Sequence, residues 1–314
     1  MAEPTVYLNG KFVPASKASI AIYDAGIVLG ATVTDFTRTF HHKPFRLEDH
    51  VHRLYRSMKY CRFHIETTPA EMIALALELN RRNTALLKPE EELGIIHFVT
   101  AGIFQVYAGS AGRGEEMTPT VCIHSFPLPF YIWKGAYRKG VHLVTPSNRH
   151  VPPQCIDPKM KYRSRLHYWL ADQETHLVDP KAVSLLLDLD GNVTETSGAN
   201  FLMVKDGVIK SPTTRNILPG VSRQTVIELA GEMGIPFVEQ DLQVHDVCNA
   251  DEAFLATSPV CLMPAAKING ITIGAGKPGP IYKRLMAAWS ERVGLDIVGQ
   301  IMASRPPREK RKGR

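Results

Sequence analysis

The chain has 314 residues, 44% of them hydrophobic and 22% charged, which suits a globular protein with room for two domains, each with its own core. Its net charge of +6 is concentrated at one end: Ser304 to Arg314 carries six basic residues against Glu309, so the body is nearly neutral and a nucleic-acid partner is not expected. No apolar run is long enough for a bilayer, MAEPTVYLNG does not read as a signal peptide, and Cys61, Cys122, Cys155, Cys248 and Cys261 are scattered without a CxxC pair, so reduced thiols and a cytoplasmic location are expected.

Val6 to Val13 reads as a hairpin around Asn9-Gly10. Gly30 to Phe40 alternates β-branched and aromatic residues and predicts a buried strand, closed by a turn at His41 to Pro44. A helix from Leu47 carries Val51, Leu54 and Met58 on one face, with Arg53, Arg56 and Lys59 off it, and Pro69 to Leu87 is a second amphipathic helix. Ile95 to Thr100 and Thr120 to Phe126 are apolar strands flanking a flexible stretch at Ala108 to Gly114. Two prolines within Phe126 to Phe130 mark a domain junction. The expected organisation is a small N-terminal α/β domain (1–125), a linker (126–136), a larger C-terminal domain (137–300) and a disordered basic tail (301–314).

In the second half Val141 to Thr145 is a strand, and the helix from Arg165 to His176 has Leu166, Trp169 and Leu170 at helical offsets. Val183 to Asp188 is an apolar run ending in a turn at Asp190 to Asn192. Glu195 then follows in a small-residue segment, Thr196 to Ala199, that lets another molecule approach the backbone. Phe201 to Val204 pairs with Val208 to Lys210 across Asp206-Gly207. Leu218 to Arg223 (LPGVSR) opens a helix with Val226, Ile227, Leu229, Ala230 and Met233 at helical spacing, and Ser222 is its expected N-cap. A short helix at His245 to Cys248, a strand at Glu252 to Thr257 and a helix from Ile281 to Val293 complete the pattern. HExxH, GxSxG and Walker patterns are absent from the sequence.

The chemistry concentrates between Leu187 and Gly234, where a lone carboxylate, Glu195, precedes a helix start whose glycine leaves backbone amides free to face an anion. That combination resembles the fold-type IV pyridoxal-phosphate enzymes, a family that includes branched-chain and D-amino acid aminotransferases and aminodeoxychorismate lyases. The resemblance spans residues 6 to about 292 and implies a two-domain α/β fold with pyridoxal 5'-phosphate between the domains, usually in a homodimer. The cofactor needs an amine, an acid against its ring nitrogen and an anion clamp.

For the amine, Lys159 and Lys161 both precede the same helix, and the family register through Glu174 to Glu195 favours Lys161. Glu195 matches the acid. Arg53, Gly220, with the amides of Val221 and Ser222, Thr257 and the Ser258 hydroxyl match the phosphate site. Thr34 and Arg38 are substrate-side candidates. The chain departs from the family at Pro259, which has no amide to offer a substrate carboxylate, at Cys261, and at Ile96 and Phe98, where no tyrosine-x-arginine clamp is found. The activity implied is transfer of an amino group, through a Lys161 aldimine, from a branched-chain or other apolar amino acid to a 2-keto acid. A lyase on the same scaffold and a non-catalytic cofactor-binding protein are the alternatives, and no metal is implied.

Overall fold

The Asn9-Gly10 hairpin opens the first of two sheets: both residues have positive φ (46° and 84°), the geometry a two-residue turn between twisted strands requires. The structure is a computed structural model that describes residues 3–109 and 118–306. Most of the flexible stretch expected at 108–114, and the end of the expected basic tail from residue 307 onward, lie outside the described residues.

The first half of the chain comprises β1 (Thr5–Leu8), β2 (Lys11–Pro14), α1 (Ala25–Val28), β3 (Thr32–Phe40), β4 (Lys43–Pro44), α2 (Leu47–Cys61), α3 (Pro69–Thr84), β5 (Leu93–Thr100), α4 (Gln105–Ala108) and β6 (Val121–Pro127). Its strands form one sheet in the order β2-β1-β6-β5-β3-β4. Because side chains alternate along a strand, Val33, Ile95, Val99 and Ile123 face α2 and α3 and pack on Leu47, Val51, Leu54, Met72 and Leu79. Thr34, Phe36, Ile96 and Phe98 fall on the opposite face, which looks toward the second half. Arg53, expected off the apolar face of α2, is buried (4% exposed) because two partners, Asp35 and Pro219, meet its guanidinium there.

The second half comprises α5 (Lys134–Lys139), β7 (Val141–Val144), α6 (Leu166–Val178), β8 (Val183–Leu187), β9 (Val193–Thr196), β10 (Asn200–Lys205), β11 (Val208–Ser211), α7 (Val221–Glu232), β12 (Phe237–Glu239), α8 (Val244–Cys248), β13 (Glu252–Thr257), β14 (Cys261–Ile268), β15 (Ile271–Thr272), α9 (Pro280–Val293) and α10 (Ile297–Ala303). Its sheet runs β12-β11-β10-β13-β14-β7-β8-β9, and the pairing of Glu195 with Asn200 joins β9 back to β10. The strands from β10 round to β9 therefore close into a ring, which removes the exposed edges of an open sheet. Phe201, Met203, Leu255, Leu185 and Leu143 share the core on one side of these strands, and Leu202, Val204 and Phe254 meet α7 and α9 on the other. Phe40 and Leu128 of the first half join that outer core beside Phe130, so an apolar seam ties the halves together.

Five points differ from what the sequence suggested. Glu195 lies within a strand, β9, rather than after one, and β14 is a further strand the pattern did not suggest. The helix from Ile281 is followed by α10, whose buried Ile297 and Ile301 make residues 301–303 part of the fold and not of a tail. Gly220 caps α7, and Ser222 is its second residue and caps nothing. On α6 the stripe of Leu166, Trp169 and Leu170 faces outward (69%, 62% and 52% exposed), while Tyr168, Ala171 and Thr175 are buried.

Candidate active site

Residues 161–163 attach to the first sheet as an added extended segment. The Thr34 amide donates to the Lys161 carbonyl and the Arg163 amide to the Thr32 carbonyl, both at 2.9 Å, with Val33 opposite Tyr162. The Lys161 amide donates to Ser57 Oγ (3.2 Å), which in turn donates to the Arg53 carbonyl (3.1 Å). Lys161 thus faces a cavity of ≈ 470 Å³ between the two sheets, lined also by Arg53, Glu195, Thr34 and the starts of two turns at Leu218–Ser222 and Thr257–Pro259. Lys159 is exposed and does not line it, and Glu174 is half-buried, does not line it either and accepts from Ser147 instead. Burial, together with Arg165 and Arg53, pulls the Lys161 amine down to about 7, while Asp35 and Glu195 pull the other way. An amine in that range is substantially unprotonated near neutrality and so nucleophilic.

Glu195 projects from the ring closure of the second sheet and is oriented from three sides. Asn200 Nδ2 donates to Oε2 (2.9 Å), the Leu218 amide to Oε1 (3.2 Å), and the Tyr168 hydroxyl reaches Oε1 at 3.4 Å. Asn200 Nδ2 also donates to the Leu218 carbonyl (2.8 Å), which couples the carboxylate to the turn that opens α7. Gly220 is required there for space: a Cβ would lie 2.0 Å from Asn200 Oδ1. Its cap geometry leaves the first amides of α7 without intrahelical acceptors, no acidic side chain sits in that first turn, and Gly220, Val221 and Ser222 line the cavity.

Arg53 reaches the same end of the cavity from α2. Its Nε and Nη2 clasp Asp35 at 2.9 and 2.8 Å, and Nη1 donates to the Pro219 carbonyl (3.1 Å). Burial disfavours ionised Asp35, but the adjacent Arg53 and His50 outweigh it and hold the carboxyl well below the usual carboxylate range. Burial keeps His50 low despite Asp35, so its 2.7 Å contact is a hydrogen bond from a neutral ring rather than an ion pair. On the opposite wall Ser258 and Pro259 line the cavity, and Thr257 donates through Oγ1 to the Gly198 carbonyl (2.7 Å). Thr34 lines it too, with its hydroxyl donating to the His97 carbonyl (2.8 Å). Arg38 does not. It is buried behind this wall, donating to the carbonyls of Pro259 and Thr39 and to Gln300 Oε1, with Phe40 under its guanidinium.

The structure therefore brings Lys161, Glu195, Arg53, Gly220, Val221, Ser222, Thr257, Ser258 and Thr34 to one cavity and leaves Arg38 outside it. Sequence reasoning missed Asp35, Asn200, Arg163 and Arg165, which orient or line the site. Asp35 carried one signal, as the single carboxylate in a strand otherwise predicted to be buried. A lysine amine, a buttressed carboxylate and unpaired helix-start amides next to an arginine form a donor set that fits an aldehyde, a ring nitrogen and a phosphate together.

Comparison with known proteins agrees with this geometry. The family model described as amino-transferase class IV matches residues 32–268. A putative branched-chain-amino-acid aminotransferase of Methanocaldococcus jannaschii is 32% identical over 281 residues, 89% of this chain and 93% of that protein. Among solved structures, the T.th. branched-chain amino acid aminotransferase with pyridoxamine 5'-phosphate superposes with a TM-score of 0.82 at 27% identity, covering 93% of this chain and 94% of the other. The branched-chain enzyme of Escherichia coli gives 0.83 at 27% identity, covering 92% and 94%.

Proposed function

The chain belongs to the class IV aminotransferase family and is a pyridoxal-phosphate-dependent transaminase, and from that premise we propose how its residues divide the work. The observation that carries the proposal is the convergence of Lys161, Glu195, Arg53 and the start of α7 on one cavity. When bound, the cofactor supplies an aldehyde that captures amines and a ring that accepts electrons from the bond broken at the α-carbon. Lys161 would hold the aldehyde and, once displaced by substrate, carry the α-proton at Nζ. Glu195 would face the ring nitrogen and keep it protonated. Arg53, the amides of Val221 and Ser222 and the hydroxyls of Thr257 and Ser258 would hold the phosphate, with Gly220 leaving room. Arg38 enters only as the support of the Pro259 carbonyl.

The amino donor we propose is a branched-chain or other apolar amino acid, with a 2-keto acid as acceptor. Phe36, Ile96, Leu218 and Pro259 give the cavity apolar walls, and the relatives are named for branched-chain substrates. Those matches favour transfer over the lyase and the non-catalytic readings. Domain boundaries near residues 125 and 137 are proposed with it, supported by the confinement of the first sheet to strands ending at or before Pro127 and of the second to strands from Val141 onward. Five unpaired thiols support a cytoplasmic location, and no helix among the described residues is long and apolar enough to cross a membrane.

The decisive experiment is a half-reaction scan. Cofactor-loaded protein mixed with L-amino acids, D-amino acids and simple amines should lose its visible band fastest with leucine, isoleucine or valine, and 2-keto acid should restore it. No response to any amino acid would defeat the assignment. A homodimer is proposed as well, supported by the outward Leu166, Trp169 and Leu170, which share one short stretch of α6 and are more than the isolated apolar residues of an ordinary surface. Light scattering should give twice the chain mass, and Trp169→Glu should shift the protein toward monomer; an unchanged mass distribution would remove this surface from the interface.

A further inference from the structure

We propose that Arg163 receives a carboxylate of the amino substrate, a role that rests on the transaminase reading above. Three arginines line the cavity among the described residues, and two are committed. Arg53 is held by Asp35 and the Pro219 carbonyl, and Arg165 donates to the Ser197 and Tyr162 carbonyls at 2.6 and 3.3 Å. The Arg163 guanidinium makes no hydrogen bond or ion pair with any described residue. It rests instead on the Phe98 ring, whose centroid lies 5.0 Å beneath it. An aromatic face fixes the plane of a guanidinium while leaving its N–H fork open, and a planar fork pairs two-to-two with a carboxylate.

The position follows from the backbone. Residues 161–163 run extended along β3, so Lys161 and Arg163 project to the same side and Tyr162, buried, to the other. Two residues of extended chain separate their Cα atoms by about 6.5 Å, which sets the cation beside the amine where the substrate nitrogen must sit. Beyond Arg163 the Ser164 hydroxyl donates to the Gly30 carbonyl (2.6 Å) and pins the segment to the start of β3.

Among the described residues the wall around the guanidinium supplies no counter-anion. Thr34, Phe36 and Ile96, none of them charged, line the same cavity. The titratable groups near it are Cys122 and His124, both on β6, and Arg165. Burial pushes the Cys122 thiol up to about 12, and burial with Arg163 holds His124 below its ordinary value, so both are uncharged near neutrality. Across the cavity Pro259 has no amide to offer. Among the described residues, a carboxylate entering this cavity on the substrate side therefore meets one uncommitted arginine. That carboxylate is either the α-carboxylate of any amino acid or the side-chain carboxylate of an acidic one.

The test uses cofactor-loaded wild type, Arg163→Gln and Arg163→Lys. Titration with 4-methylvalerate, which carries a carboxylate and no amine, is read by calorimetry. Half-reactions are followed with leucine, glutamate and 3-methylbutylamine, the last being leucine without its carboxylate. Arg163→Gln is expected to weaken 4-methylvalerate by at least about tenfold and to lower kcat/KM on leucine by roughly 10–100-fold, with the amine unchanged and Arg163→Lys intermediate. A loss confined to glutamate assigns the guanidinium to the side-chain carboxylate. Unchanged 4-methylvalerate affinity with unchanged leucine and glutamate rates overturns the proposal, as does an equal loss with the amine, which would mean that Arg163 only packs on Phe98. A wild type that turns over no amino acid counts against the functional reading instead, and the titration, which needs no turnover, still decides the role of Arg163.

Discussion

Lys161→Met is expected to remove the visible band of the bound cofactor, to lower transamination by at least about 10³-fold, and at the same time to make the cofactor-free protein more stable. The first two effects follow from the only lysine lining the cavity among the described residues. The third follows from its depressed pKa. Lys161 sits at about 7 in the folded protein, against about 10.4 in an unfolded chain. Between those values the unfolded state binds more protons, so folding stability rises with pH across that window. The penalty is fully present below pH 7 and disappears as pH approaches 10.4. Because the amine borders an open cavity, water screens part of it, and we expect on the order of 1–3 kcal/mol rather than the full value that the shift implies. Thermal melts of cofactor-free protein from pH 6 to 10 should therefore climb for wild type relative to Lys161→Met. Parallel curves would refute the buried amine, and a band that survives in this variant but vanishes in Lys159→Ala would transfer the role to Lys159.

What could be read before the structure was whatever depends on neighbours along the chain. The Asn9-Gly10 and Asp206-Gly207 hairpins, the apolar face of α2 and the glycine-opened helix at Leu218 to Arg223 all announce themselves within a few residues. What stayed hidden depends on what comes to lie opposite. β9 is four residues, Val-Thr-Glu-Thr, with no apolar alternation; it is a buried strand because closure of the ring presents both β8 and β10 to it. The outward stripe on α6 has helical period, but period alone does not say which face meets the core. Arg53 reads as a surface arginine until Asp35, eighteen residues earlier on β3, is seen to clasp it. Arg163 has no signal at all without its extended partner strand, since only the added pairing to β3 turns a two-residue spacing into a shared face.

Glu195→Gln is expected to lower kcat by on the order of 10²–10³-fold while changing cofactor affinity far less, because the phosphate and aldehyde contacts come from other residues. The substitution keeps the shape and removes the charge that would hold a proton on the ring nitrogen. It also creates a local conflict. Both carboxylate oxygens now accept from donors, Oε1 from the Leu218 amide and Oε2 from Asn200 Nδ2. A glutamine must turn its NH₂ toward one of them. Asn200 cannot flip to accept it, since its own amide is committed to the Leu218 carbonyl and its Oδ1 lies against Gly220. One buried donor therefore loses its acceptor, at a cost of about 1–3 kcal/mol of stability. Asn200→Ala separates the two contributions: it leaves the charge in place but frees the carboxylate to rotate, so kcat should fall less than in Glu195→Gln. Single-turnover rates with a saturating amino donor, measured beside cofactor titrations, give the split. If Glu195→Gln stays within about threefold of wild type, the ring nitrogen is not served by this carboxylate; if Asn200→Ala matches its full loss, orientation rather than charge is what Glu195 contributes.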